Sequence, residues 1–412
     1  MDKIEQIYAL MLKNDSEINA LFKRHRSEVS IPLYCSGDLR DAGFKLGVVD
    51  TNLFPAGFNN LCKADKMYAS KKFFDYLQSV FIIHPLQITI IPEFHTSNLN
   101  YLENVYSLKE IISSGGIEVF VSVPLEVPGG KKTLKTAEGN NLDIYSCKKI
   151  DNKLTLSNGD IPELIILNND LTRGVPEDLQ GLEQPMIPPL DIGWHKRKKH
   201  IHFQYYNKLA GELANLIDID PWLLTINSKE VAGINFANNS GIDRIAATTD
   251  SILNATKEKY KEYGIDIPPY AVIKHNSGTY GIGVVTVHSG DEVLNFNRKN
   301  REKMSRGKGG SLITEVLVQE GIPTTKVFEN FVGETVLSAI GDEVVGGALR
   351  LHPEKSEREN LNAPGSEFRS LCLSDPSATC TCLRDPKLCG IYKTIMRIAI
   401  YATGYEIKTS IA

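Results

Sequence analysis

The sequence predicts an α/β protein with two or three lobes packed as one body. Three observations carry that expectation. The chain has 412 residues, more than one hydrophobic core usually serves. Short alternating apolar runs that read as strands recur between stretches with helical spacing. A glycine-rich loop, SGTYGIG, lies between two such runs. At 42% hydrophobic and 23% charged, the composition is that of an ordinary soluble chain. A formal net charge of −4 gives no global field toward nucleic acid or an anionic membrane, so neither partner is expected.

The first residues, MDKIEQIYALMLKND, put Ile4, Ile7, Leu10 and Met11 on one helical stripe, and the helix is expected to run to about Arg26. The basic start and unbroken apolar core of a signal peptide are missing, so the cytoplasm is the expected location. IPLYCSGDLRDAGFKLGVVDTNLFPAGFNNL reads as a strand and a long Gly/Pro/Asn-rich stretch. KKFFDYLQSV is helical. SVFIIHPLQITIIPEF is too short and interrupted to span a bilayer and reads as two buried strands with a turn. ENVYSLKEIISSGG is a helix ending at its glycines. IEVFVSVPL, LDIYSCKKI and NKLTLSNGD alternate as strands. PELIILNNDLTRG is an apolar strand opening into a polar loop, a frequent site layout in α/β folds.

A boundary near Asp191 separates 1–190, an expected substrate-binding region, from 191–412. HIHFQYYNKLAGELANLI predicts a helix, and INSKEVAGINFANNSG and TDSILNATKEKYKEYG predict shorter ones. PYAVIK and VVTV are strands flanking the glycine loop. REKMSRGKGGSL is a basic connection, and ITEVLVQEGI is a strand that ends in acids. ETVLSAIGDEVVGGALRLH reads as two antiparallel strands turning at Gly341–Asp342. The loop ENLNAPGSEF precedes a closing helix, PKLCGIYKTIMRIAIYATGYE. Residues 191–318 are expected to form a lobe with the loop, and 319–412 a second lobe. The seven cysteines are odd in number, and no disulfide framework is expected. Cys372, Cys380, Cys382 and Cys389 cluster without a C-x-x-C pair, so thiols are preferred to a zinc site.

VIKHNSGTYGIGVV carries the chemistry. Its glycines, Gly278, Gly281 and Gly283, open a strand rather than a helix, unlike a nicotinamide-binding loop, and no Lys-Ser/Thr ends it as in a Walker loop. Either it is a tight hairpin or it is a flap whose backbone N–H groups approach phosphate. Context favours the flap. Lys274 ends the entering strand, Ser277 and Tyr280 lie in the loop, and Lys229 lies upstream at an expected helix start. Gln319, Glu320 and Ile322 follow an apolar strand as a hinge whose backbone could read an adenine edge and whose carboxylate could take ribose hydroxyls. Arg350 is a phosphate clamp candidate. Glu359, Asn360 and Asn362 offer the oxygen ligands Mg²⁺ prefers. For an amino-acid substrate, the candidates are Arg40, Asp38, Asp50, Asn52 and Asn59, or Glu93, His95 and Asn98. Each is also an ordinary cap or turn residue. HKRKKH, His195–His200, is basic and could face phosphates or a carboxylate, but a solvated helix start is the preferred reading.

This order of residues, from about Ser228 to Gly365, resembles the ATP-grasp superfamily, and LVQEGIPT through NLNAPG looks like the equivalent part of bacterial glutathione synthetases. VDTNLFPAGFNNL, VIKHNSGTYGIGVVTV and NLNAPG together resemble a proteobacterial family of glutamate–cysteine ligases over nearly the whole chain. The resemblance implies an ATP-grasp fold with an N-terminal α/β substrate region, ATP and Mg²⁺ as cofactors, and glutamate and cysteine as small-molecule substrates. It implies ligation through an acyl phosphate, with Lys274 and Arg350 as catalytic residues. Assembly into a homo-oligomer is left open. In that family the flap entry reads K-A-D-x-G-T-Y-G, whereas here an asparagine, Asn276, follows Lys274 and His275. Two alternatives stand beside this reading: another ATP-grasp ligase such as glutathione synthetase, and a silent nucleotide-binding protein.

Overall fold

The computed structural model describes residues 3–82, 85–94, 97–279, 281–310, 312–374 and 386–411. Its centre is an antiparallel sheet that orders strands Glu367–Ser370, Glu343–His352, Phe331–Ile340, Tyr34–Asp41 and Leu46–Asn52, with Lys326–Phe328 beside the third. Strands from either side of residue 190 therefore share one sheet. The first two β segments, expected as a strand and a loop, are a hairpin that pairs Asp38 with Asp50.

Alternation along these strands separates two faces. Leu39, Leu337, Ala339, Leu349 and Leu351 are buried on one face, in a cluster with Ile391, Tyr392, Ile395 and Met396 of the helix Pro386–Ile411. Phe203, Tyr206, Leu209 and Leu213 of the helix Lys199–Leu216 join that cluster. Each fully buried leucine there contributes roughly 1.5–3 kcal/mol. The helix packs so close that a Cβ at Gly37 would lie 2.5 Å from Met396 Sδ. The N-terminal stripe also docks here, but as two helices, Lys3–Lys13 and Asp15–Glu28, parting at Asn14. The opposite face of the sheet is polar.

A four-stranded antiparallel sheet orders Ser228–Ala232, Glu315–Glu320, Ala271–His275 and Val284–Val287. One face packs Ile273, Val285, Val316 and Val318 under Ile245 and Ile252 of the helix Ile242–Glu262. Ser228–Ala232, expected as helix, is a strand: pairing with 315–320 outweighs its local preference. A seven-stranded sheet holds parallel strands Glu118–Val123, Gln87–Pro92, Leu164–Asn168 and Met186–Ile187. QITIIP and LIILN are near-continuous apolar runs because the centre of this sheet is buried. The preceding SVFII is not a described strand: Ser79 and Val80 end the helix Lys63–Val80, and Ile83 and His84 lie outside the described residues.

Cys62 and Cys372 form a disulfide with Cα atoms 5.7 Å apart, against the expectation of thiols throughout. Cys35 and Cys147 are buried thiols. Cys380 and Cys382 fall outside the described residues, and among the described residues no group of His, Cys, Asp and Glu is placed to hold a metal. No described helix is long and apolar enough to cross a membrane.

Candidate active site

The polar face of the central sheet and one face of the four-stranded sheet border a cavity. The pleat decides which side chains enter it. Val272 lies opposite Gln319, and Lys274 opposite Leu317. Val272, Lys274 and Gln319 reach the cavity, while Ile273, Val316 and Val318 turn to the helix. From the central sheet come Asp38, Arg40, Asp50 and Glu334, and Ile322, Asn360 and Asn362 complete the wall. A second cavity of about 240 Å³ is bordered by Ser36, Asn52, Asn60, Trp194, Ser338 and Arg350. That lies below the roughly 300–1,000 Å³ of sites for drug-sized ligands. Asp38, Asp50, Lys199, Gly278, Thr279 and Asn362 border both, so the cavities meet along a seam.

Buried charges converge on the seam. Lys274 Nζ donates to Val49 O at 2.8 Å. Burial pushes its pKa down to about 8; Asp50 opposes the shift and Lys199 adds to it. Lys199 Nζ lies 2.5 Å from Asp50 Oδ1. Burial alone would raise the Asp50 carboxyl, but Lys199 and Lys274 hold it below the usual range. Arg350 donates to Asp38 at 2.9 Å and to Glu334 at 2.6 Å. Arg40 donates to the other Glu334 oxygen at 2.6 Å and to the carbonyls of Glu357 and Glu359. The Asp38 carboxyl is raised by burial against the pull of Arg350, whereas Arg40 and Arg350 overcome the burial of Glu334 and lower it. Among the described residues, Gln319 Nε2 and Arg350 Nε are two of the buried polar atoms without a hydrogen-bond partner. Such orphan donors call for a ligand or water.

The glycine loop is a hairpin tip closing over this cavity. Gly281 adopts φ +68°, and a Cβ on it would meet Asn362 O at 2.3 Å. The root is fixed by Asn276, whose Nδ2 lies 2.8 Å from His200 Nδ1, 3.2 Å from Glu230 and 3.1 Å from Glu315. An aspartate here would face two carboxylates; the asparagine donates to them, a physical reason for the departure from K-A-D. Ser277 Oγ donates to Arg197 O rather than entering the cavity, and Thr279 Oγ1 donates to Asp170.

The expected site residues divide accordingly. Lys274, Gly278, Gly281, Gln319, Ile322, Arg40, Asp50, Asn360 and Asn362 border the first cavity, and Asn52 and Arg350 the second. Gly283 turns at the outer mouth of the flap. Lys229 is exposed: opposite Val318 in register, it lies on the helix-covered face and donates to Ser251. Glu320 borders the cavity, but its carboxylate is engaged by Lys45 at 2.7 Å, by Asn227 N at 2.7 Å and by Trp222 Nε1. It is therefore not open to ribose. The Glu359 carboxylate is held by Lys355 and Ser356. Asn59 donates to Asn60 and borders neither cavity. Glu93 sits in a separate cleft, 2.9 Å from Lys308. His95 and Tyr280 lie outside the described residues. Sequence reasoning missed Glu334, Trp194 and Arg358, and it preferred a solvated role for the run that holds Lys199. The polar alternation S-x-D-x-R at 36–40 and E-x-V-x-S at 334–338 was the available signal for a polar sheet face.

A glycine hairpin closes one antiparallel sheet over the charged face of another, the arrangement that the sequence resemblance to ATP-grasp ligases leads one to expect. The family model for glutamate–cysteine ligase, GshA, matches residues 9–407, and the chain belongs to this ATP-using family. A solved structure described as a candidate gamma-glutamylcysteine synthetase of Methylobacillus flagellatus KT shares 36% identity and a TM-score of 0.89, covering 99% of this chain and 96% of that one. D-alanyl-alanine synthetase A from Vibrio cholerae O1 shares 12% identity at TM-score 0.36, over 78% of this chain and 82% of that one. A glutathione synthetase-like effector from Globodera pallida shares 10% at TM-score 0.36, over 89% and 80%. Both are too distant to bear on fold or function. No curated protein matches the chain.

Proposed function

We propose that this chain joins the γ-carboxylate of L-glutamate to the amine of L-cysteine at the expense of ATP, giving γ-glutamylcysteine, ADP and phosphate in the cytoplasm, the first step of glutathione biosynthesis. One observation carries the reading: a flap-covered cavity and a second cavity on the scale of an amino acid share a charged wall. A phosphate donor and an amino acid can meet there without crossing bulk water.

Val272 and Ile322 supply apolar surface for a nucleobase, and the unpartnered amide of Gln319 supplies a donor for its edge. Lys274 and the flap backbone at Gly281 take the phosphates, since phosphoryl transfer is governed by positioning and charge neutralisation. Arg350, fixed by Asp38 and Glu334, brings its guanidinium to the border of the amino-acid cavity. The γ-carboxylate becomes an acyl phosphate, and the amine of cysteine displaces phosphate through a tetrahedral intermediate. A closed flap matters because an acyl phosphate hydrolyses in water. None of the chain's cysteines is needed as nucleophile.

The donor set suits Mg²⁺. Asn360 and Asn362 bring hard oxygen donors to the first cavity, while the carboxylates of Asp38, Asp50 and Glu334 there are already paired with Arg350, Lys199 and Arg40. A metal that keeps water and phosphate oxygens needs only one or two protein ligands. Asn360 and Asn362 would hold it, and it would supply charge neutralisation on the phosphates.

The test is an assay of ADP release and product mass over pairs of amino acids with Mg²⁺ and ATP. Full turnover and γ-glutamylcysteine are expected only with glutamate and cysteine together. Tight ATP binding with no γ-glutamyl product for any thiol amino acid would sink the reading. A product from γ-glutamylcysteine and glycine instead would assign the chain to the glutathione synthetase reaction.

A further inference from the structure

Lys199 comes from the basic run expected to be solvated, yet it is only 4% exposed. Besides its ion pair with Asp50, its Nζ lies 4.6 Å from the centre of the Trp194 ring, a face that favours a cation. Its backbone N–H donates to Asn276 O at the root of the flap, at 2.8 Å. The position is a poor one for structural reasons alone. Lys199 begins the helix Lys199–Leu216, where the helix dipole disfavours positive charge. Among the described residues it is also the one lysine or arginine that borders both cavities: Lys274 borders only the first and Arg350 only the second.

We infer that Lys199 is a catalytic residue of the ligation, its ammonium contacting the oxygen that links the substrate's acyl carbon to the transferred phosphorus, with Asp50 as the positioning residue that holds it at the seam. This deepens the ligase reading and rests on it. In the first half-reaction a γ-carboxylate oxygen bonds to the terminal phosphorus, the bond from that phosphorus to the ADP oxygen breaks, and ADP keeps the electron pair. In the second, the amine nitrogen bonds to the acyl carbon, the carbon–oxygen bond breaks, and phosphate leaves with that pair. The amine's proton passes to the departing phosphate or to solvent. The same oxygen takes part in both steps: it attacks in the first and leaves in the second. It lies between the amino-acid cavity and the nucleotide cavity throughout. A fixed cation on the seam serves both transition states without moving, whereas Lys274 and Arg350 each serve one side. Electrostatic groups aimed at developing charge in a dry site are among the largest contributors to enzymic rate.

The experiment compares the parental protein with Lys199→Met, Lys199→Arg and the double variant Lys199→Met/Asp50→Asn. The double variant removes both charges, so no unpaired carboxylate is left to unfold the site. Ligation kinetics, ATP binding and melting temperature are measured on each. Lys199→Met is expected to lower kcat by about 10²–10³-fold. The ATP dissociation constant should stay within about threefold, because Lys274 and the flap remain. The double variant should melt like the parent and remain as slow, and Lys199→Arg should recover part of the rate. A double variant that melts normally and keeps kcat within about fivefold overturns the inference. So does a variant whose loss appears wholly as weaker ATP binding at unchanged kcat. A parental protein that forms no product with any pair brings down the ligase reading itself, and this inference with it. An active parent with active variants removes only the role of Lys199.

Discussion

At the scale of single residues, the site works by burying charge. A lysine ammonium out of water beside a second lysine releases its proton early, and Lys274 titrates near 8. Only the protonated form neutralises phosphate. The value of kcat/KM for ATP, which reports the free enzyme, is therefore expected to fall as pH rises past about 8. Lys274→Arg, whose guanidinium stays charged, should carry the plateau to higher pH. A parental profile flat to pH 10 would refute this assignment. The sign for stability is the reverse: a lysine depressed in the fold contributes stability above its unfolded pKa, and that contribution is lost as pH falls through about 8. Lys274 was legible in the sequence because a strand and a glycine loop frame it. Lys199 was not: the carboxylate that holds it, Asp50, lies 149 positions away in sequence, and no local pattern links the two. Glu320 misled for the same reason. Its partner, Lys45, lies far away in sequence, and a hinge acid looks identical whether it faces a ligand or a lysine.

At the scale of elements, the hairpin from 271 to 287 was legible in full, since strand, glycine spacing and strand are all local. What could not be read was how closely the tip approaches its neighbour. Gly281 needs both its positive φ and its missing side chain, because a Cβ would fall on Asn362 O. Gly281→Ala should lift the tip off the loop that carries Asn360 and Asn362. A non-glycine residue in this conformation costs about 1–3 kcal/mol, so kcat/KM for ATP should drop about tenfold or more. Global stability should fall by no more than that strain, about 1–3 kcal/mol. Steady-state kinetics equal to the parent would show that the flap does not work in this position. The strand Ser228–Ala232 was misread as helix, and Lys229 with it. Pairing with 315–320 is a long-range event, and the pleat then sends Lys229 to the helix-covered face.

Across the whole molecule, distant segments are bolted together by charge as well as by apolar packing. Arg197, ahead of the helix Lys199–Leu216, bonds Glu406 of the C-terminal helix through Nε at 2.7 Å and Thr51 O of the N-terminal hairpin at 2.8 Å. Burial would raise the Glu406 carboxyl, yet Arg197 and His202 hold it down to about 2. The stability this carboxylate brings is present above its unfolded pKa and lost as pH falls through about 2. Arg197→Met strands a buried carboxylate and should cost about 3–5 kcal/mol in denaturant unfolding at neutral pH. Adding Glu406→Leu should recover most of that. A single variant as stable as the parent would mean the pair is not what joins these parts.

The central sheet also sets an order of events during synthesis. The strand Tyr34–Asp41 pairs at once with Leu46–Asn52, but its other edge waits for Phe331–Ile340. Roughly 300 residues must emerge in between, which at the usual ribosomal pace takes about 15–60 s. Over that time a nascent strand offers unpaired backbone to any neighbouring chain, the usual seed of aggregation. The charges that later wall the cavity, Asp38, Arg40 and Asp50, ride on this hairpin, and charged side chains are a recognised guard for such an edge. The same side chains thus serve the chain twice: first as protection on the ribosome, and later as the wall of a site that exists only once the last strands arrive.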